Sequence, residues 1–165
     1  MLHNRQVGIV GYTEYGRPLA LNLRDSGIDV IIGNHADEQA VQALREGFPT
    51  FSPAEVAARA EVLLIAPPDA LLPAVFKSDI SPFLNSNKTL LFVTSDPSQV
   101  AGLKLPADVD VGWLRPALAG EALRESYLRR KDCQARFATL QERSGRLQDT
   151  VHALAEALRV LLTSK

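Results

Sequence analysis

Short unbroken apolar runs alternate along this chain with stretches whose apolar residues recur at three- and four-residue spacing. The runs are Val7-Gly8-Ile9-Val10, Val30-Ile31-Ile32, and residues 62–66, 89–93 and 109–114. Each is apolar on both faces, as a strand buried in a parallel sheet requires. Residues 17–23 form a helix with Leu19, Ala20, Leu21 and Leu23 on its apolar side, and Pro18 is tolerated because the first turn has no use for its missing N–H. Residues 38–46 predict a short helix with Ala40, Val41 and Leu44 inward, closed by Gly47, and residues 48–51 a brief edge strand. Ser52, three residues ahead of Glu55 and followed by Pro53, spells a capped helix start. Residues 72–77 and a stretch running to about residue 130 are also helical. Residues 134–140 alternate like a strand exposed on one side. From residue 143 onward Leu147, Val151, Leu154, Leu158 and Leu161 recur at helical spacing and predict one final helix. Strands alternating with helices make this α/β: a single domain over residues 1–165 with a doubly wound, Rossmann-type, mainly parallel sheet.

In such a sheet ligands sit beyond the carboxyl ends of the strands, where the connecting loops converge. The first loop carries Gly11, Tyr12, Thr13, Glu14, Tyr15 and Gly16, a sharp turn that aims backbone N–H groups and a helix N-terminus at one spot, as phosphate binding requires. Its glycines occupy the first and last places of a GxGxxG pattern, with Thr13 in the middle. Thr13 either pushes a ligand outward or offers its hydroxyl as a donor, and Glu14 competes with an anion at the helix end. A strand–helix turn that binds nothing is the plainer reading. The second loop, Asn34 and His35, is where a dinucleotide fold selects its cofactor. An acid there would hold a free ribose, yet Asp37 and Glu38 come late and His35 is the one potential cation, which favours NADP and leaves NAD possible. His35 reads equally well as a surface histidine. Pro67, Pro68 and Asp69, then Thr94, then Pro116 and Gly120 complete the candidate cofactor-binding set. Tyr12, Tyr15 and Asp96 are the nearby candidate proton donors. Ser95 has no histidine close in sequence, so a hydrolytic triad lacks its base.

Charge narrows the partners. With 18 basic and 19 acidic side chains the net charge is −1, which supports neither a nucleic-acid nor an anionic-membrane surface. Arg129, Arg130 and Lys131 form one basic cluster, of the kind that caps a solvated helix end. Cys133 is the sole cysteine; it excludes an internal disulfide and suits a reducing compartment, and the polar start MLHNRQ lacks a signal-like apolar core, so a cytoplasmic location is expected. His3, His35 and His152 are dispersed, and no metal site is expected.

The order of these motifs resembles the N-terminal, NADPH-binding domain of the ketol-acid reductoisomerases, also called acetohydroxy acid isomeroreductases. VGIVGY with Gly16, LALNLRDSGIDVIIG, Pro68-Asp69, ISPFL at residues 80–84, Leu90-Leu91-Phe92 and PADVDV at residues 106–111 are similar to successive family blocks. Pro116, Gly120, Arg124 and Tyr127 fall in register with the segment that follows. The resemblance implies a dinucleotide partner and a Rossmann fold. It also marks departures: Thr94 stands where the family has a histidine, Ala117 where it has a lysine, and Thr13 where it has a glycine. The family's all-helical domain, whose carboxylates hold two magnesium ions, is expected to be missing from a sequence that stops at Lys165.

Three functions follow as expectations. The first is an NAD(P)-binding module, regulatory or pseudoenzymatic, that lacks isomeroreductase activity by itself. The second is an NADP-dependent oxidoreductase for another substrate, completed by a dimer or a partner chain, and the third is a protein-interaction domain without nucleotide. No catalytic residue is assigned. Self-association, or docking on a partner protein, is expected through Trp113, Leu114, Leu118, Leu123, Tyr127 and the end of the final helix at Val160, Leu161 and Leu162, which exceed what one stripe against the sheet needs.

Overall fold

The structure, a computed structural model, describes residues 2–164. Strands β1 (Val7–Val10), β2 (Val30–Gly33), β4 (Val62–Ile65) and β5 (Thr89–Val93) are buried at every residue, as their unbroken apolar runs demand. With the short β3 (Thr50–Phe51) and with β6 (Asp110–Pro116) they pair in parallel. Strand β7 (Cys133–Gln141) runs antiparallel to β6, and β8 (Val160–Ser164) parallel to β7, giving one sheet in the order β3-β2-β1-β4-β5-β6-β7-β8.

Helices α1 (Gly16–Asp25), α2 (Glu38–Arg45), α5 (Gly120–Leu128) and α6 (Leu147–Leu158) cover one face, where Leu19, Leu23, Ala43, Leu123 and Leu154 bury against the sheet. Helices α3 (Pro53–Arg59) and α4 (Leu72–Val75), the latter continued by a wider turn over Phe76–Ile80, cover the other through Val56, Leu72 and Phe76. Phe76 meets Phe92 edge-on at 5.1 Å. Ser52 caps α3 as its sequence announces, its Oγ accepting from the Glu55 N–H at 3.2 Å. The Glu55 carboxylate takes Arg59 one turn on, at 2.8 Å, rather than closing the box.

The final helix expected from residue 143 to Leu161 is shorter. It ends at Leu158, Arg159 turns left-handed (φ 57°), and the chain leaves as β8. Tertiary contacts overrule the leucine spacing here. The Arg159 Nη1 donates to the Tyr127 carbonyl at 2.8 Å and its guanidinium lies 4.3 Å from the Tyr127 ring, while β7 offers an open ladder to the β-prone Val160-Leu161-Leu162-Thr163. The surplus apolar surface also shrinks. Trp113, Leu114, Leu123 and Tyr127 are at most 4% exposed and Val160 is buried, so they complete the chain's own core; Leu118 (38%) and Leu161 (52%) stay exposed. No helix among the described residues is long and apolar enough to cross a membrane.

Candidate functional site

The first loop is as tight as backbone permits. Gly11 has φ +96°, and a Cβ there would lie 2.6 Å from the Ala66 carbonyl oxygen, while a Cβ at Gly16 would lie 1.8 Å from the Gly11 carbonyl oxygen. Both positions therefore demand glycine. The Thr13 hydroxyl is engaged within the protein. Its Oγ1 donates to the Ala66 carbonyl at 2.7 Å and accepts from the Gly16 N–H at 3.3 Å, stapling the loop to the end of β4. The backbone N–H groups of Thr13, Glu14 and Tyr15 find no acceptor among the described residues, and they gather where α1 begins. The Glu14 carbonyl accepts from Gly120 N–H at 2.7 Å, which ties the β6–α5 loop to the glycine loop.

Tyr12 turns its side chain into the core and its N–H towards the second loop. Its side chain is 2% exposed and its hydroxyl donates to Glu46, which also takes the Arg17 guanidinium at 2.7 Å. Burial, and then the hydrogen bond to Glu46, push the phenol far above its usual range, whereas the Arg17 hydrogen bond holds the Glu46 carboxyl below its own. The Tyr12 N–H donates to Asn34 Oδ1 at 3.2 Å, and Asn34 Nδ2 donates to Asp37 Oδ1 at 2.8 Å, so the first two loops interlock.

A cleft of about 200 Å³ opens between them, bounded by Gly11 and Thr13, by Asn34 and His35, and by Pro67 and Pro68. Asp37 and Leu71 line it too. Asp37 was legible only as a late acid; it is the N-cap of α2, accepting from Gln39 N–H at 2.9 Å and Ala40 N–H at 3.1 Å, a role that its place ahead of the helix signals. His35 is 69% exposed, with its ring 3.0 Å from an Asp79 carboxylate oxygen.

A second group lies past β4 and β5. Thr94 Oγ1 donates to Asp69 at 2.7 Å, Ser95 donates to the other Asp69 oxygen, and Trp113 Nε1 donates to the Thr94 carbonyl at 3.0 Å. Half-buried Tyr15 adjoins them: burial foremost, then Asp69 and Glu14, raise its phenol pKa, and Arg115 opposes the rise. Tyr15 thus stays a protonated phenol at neutral pH. Of the other candidate donors, Tyr12 faces the core, and Asp96 holds its carboxyl below the usual range by accepting from Ser98 and Gln99. Pro116 is a buried residue of β6, and Gly120 joins the site through Glu14. No cluster of three metal-ligating side chains occurs among the described residues.

A family model described as the acetohydroxy acid isomeroreductase, NADPH-binding domain, matches residues 1–161. Among solved structures, an NADH-preferring ketol-acid reductoisomerase from an uncultured archean superposes with a TM-score of 0.92 at 26% identity, covering 99% of this chain and 53% of that one. The present chain therefore spans about half the length of that enzyme. A semialdehyde dehydrogenase NAD-binding protein from Cupriavidus necator, in complex with calcium and NAD, gives 0.76 at 17% identity over 98% of this chain and 62% of that. The pyrroline carboxylate reductase of Plasmodium falciparum, with NADP bound, gives 0.76 at 13% over 100% and 59%. These last two share the fold.

Proposed function

The chain belongs to the acetohydroxy acid isomeroreductase family through that family's NADPH-binding domain, and we propose that it holds NAD(P)H beyond the carboxyl ends of β1, β2, β4 and β5 without performing the family's isomerisation by itself. The observation that carries this reading is the trio of unclaimed N–H groups at Thr13, Glu14 and Tyr15, held over two glycines that no larger residue can replace. They suit a pyrophosphate. The cleft between Asn34 and Pro67 suits the adenosine half, and the Asp69–Thr94–Ser95 group adjoins the nicotinamide half. A bound dinucleotide would supply a hydride. His35 is the side chain at hand for a 2′-phosphate, but the Asp37 and Asp79 carboxylates beside it weaken that preference, so NADPH binds at least as well as NADH and both are accepted.

Protonated Tyr15 supports a second reading, an oxidoreductase for another substrate completed by a second copy or a partner protein. The open outer edge of β8 supports self-association. The buried lone thiol of Cys133 suits the cytoplasm. Calorimetric titration with NADPH and with NADH tests the main reading: saturable heat with both is expected. Silence from both at millimolar concentration would overturn it in favour of a protein-interaction domain.

A further inference from the structure

Arg115 of β6 and Arg136 of β7 are register partners across the one antiparallel junction of the sheet. Their side chains leave the same face, the one that carries Trp113 and Ala138, and both are exposed. Cross-strand partners hold their Cβ atoms about 4.5–5.5 Å apart, where like charges repel. Neither guanidinium takes part in an ion pair or a hydrogen bond with a described residue. Helices α5 and α6 pack on the opposite side with Cys133 and Ala135, whereas on this face Trp113 clusters with Val100, Leu103 and Leu105. Two planar five-donor forks thus stand side by side with no ion-pair partner among the described residues.

They also adjoin the site. Arg115 follows Leu114 as Thr94 follows Val93, and Leu114 and Val93 are register partners. The charge of Arg115 acts on the Tyr15 phenol.

We propose that Arg115 and Arg136 together clamp a small carboxylate ligand at the mouth of this site. An Arg fork matches a carboxylate in two parallel N–H···O bonds, and a carboxylate between two forks cancels their repulsion. Asp69 and Glu14 act on the Tyr15 phenol together with Arg115, so acids already stand in this neighbourhood and a monoanion suits the local balance better than a phosphate dianion. Its placement beside a dinucleotide rests on the reading above; the clamp does not.

Isobutyrate, inorganic phosphate and chloride at matched ionic strength are to be titrated into the whole chain, with and without NADPH, and followed by amide chemical shifts and thermal melting. Isobutyrate alone is expected to saturate, with shifts centred on β6 and β7. Arg115→Gln and Arg136→Gln should each weaken it about tenfold, with Arg136→Lys between, because a point charge lacks the fork. Without ligand neither Gln variant should melt below the parent, since each removes a repulsion. Isobutyrate shifts equal to those of chloride, a preference for phosphate, or parent-like binding by both Gln variants would overturn the clamp. An intact isobutyrate response with no NADPH binding would sink the dinucleotide reading and leave the clamp standing.

Discussion

At the scale of single residues the glycine loop separates what a sequence announces from what it hides. Gly11 and Gly16 are legible because no other residue fits a turn so close to β4 and to itself. Thr13 is not, because the carbonyl its hydroxyl bonds belongs to Ala66, 53 positions away. Thr13→Val keeps the shape and removes both hydrogen bonds, so urea unfolding should show a loss of about 1–2 kcal/mol and calorimetry a weaker affinity for NADPH. An affinity equal to the parent's would show that the staple does not set the loop. Glu46 makes a second case, unannounced in sequence since Tyr12 and Arg17 reach it only in the fold. Its folded pKa lies below the unfolded one, chiefly through the Arg17 hydrogen bond. Its stabilisation is therefore complete above the ordinary glutamate value, about 4.3, and fades as pH falls through the depressed folded value. Glu46→Gln should flatten the acid limb of a stability–pH curve, and an unchanged limb would remove Glu46 from the account.

Among elements, the parallel core was readable from apolar runs because strands buried on both faces tolerate little else. The chain's last segment was not. Leu161 fits a helical period and a β-strand equally, and a left-handed Arg159 pinned by Tyr127 decides between them. Strand β8 then lies at the sheet's border, where Val160, Leu161, Leu162 and Thr163 include neither the charge nor the proline with which borders are usually blunted. Two copies joined through β8 would satisfy this border. Light scattering of the purified chain should give a dimer mass at tens of micromolar, and Leu161→Glu should return a monomer. A monomeric parent chain would discard the homodimer.

For the whole molecule, the family was legible in the order of its blocks, whereas its chemistry depends on a few side chains that differ. Thr94 is committed to Asp69, and Ala117 has no polar side-chain group to offer, its N–H going to the Gln134 carbonyl at 2.8 Å. Neither supplies the cation-bearing or proton-carrying group that the family resemblance puts at these positions. Acetolactate with NADPH and magnesium should accordingly give no turnover above a buffer blank, and measurable turnover by a clean preparation would refute this.

The hydrogen bond from Gly120 to the Glu14 carbonyl joins the start of the chain to the loop that leaves β6 just past Arg115. A nucleotide seated on the first loop and an acid held at β6 would thus share a strut, and their two equilibria close a thermodynamic cycle. Around such a cycle the sides must balance: by whatever factor the nucleotide sharpens or blunts the hold on the acid, the acid does the same to the hold on the nucleotide. Occupancy by one metabolite would then report the abundance of the other, whether or not either is turned over.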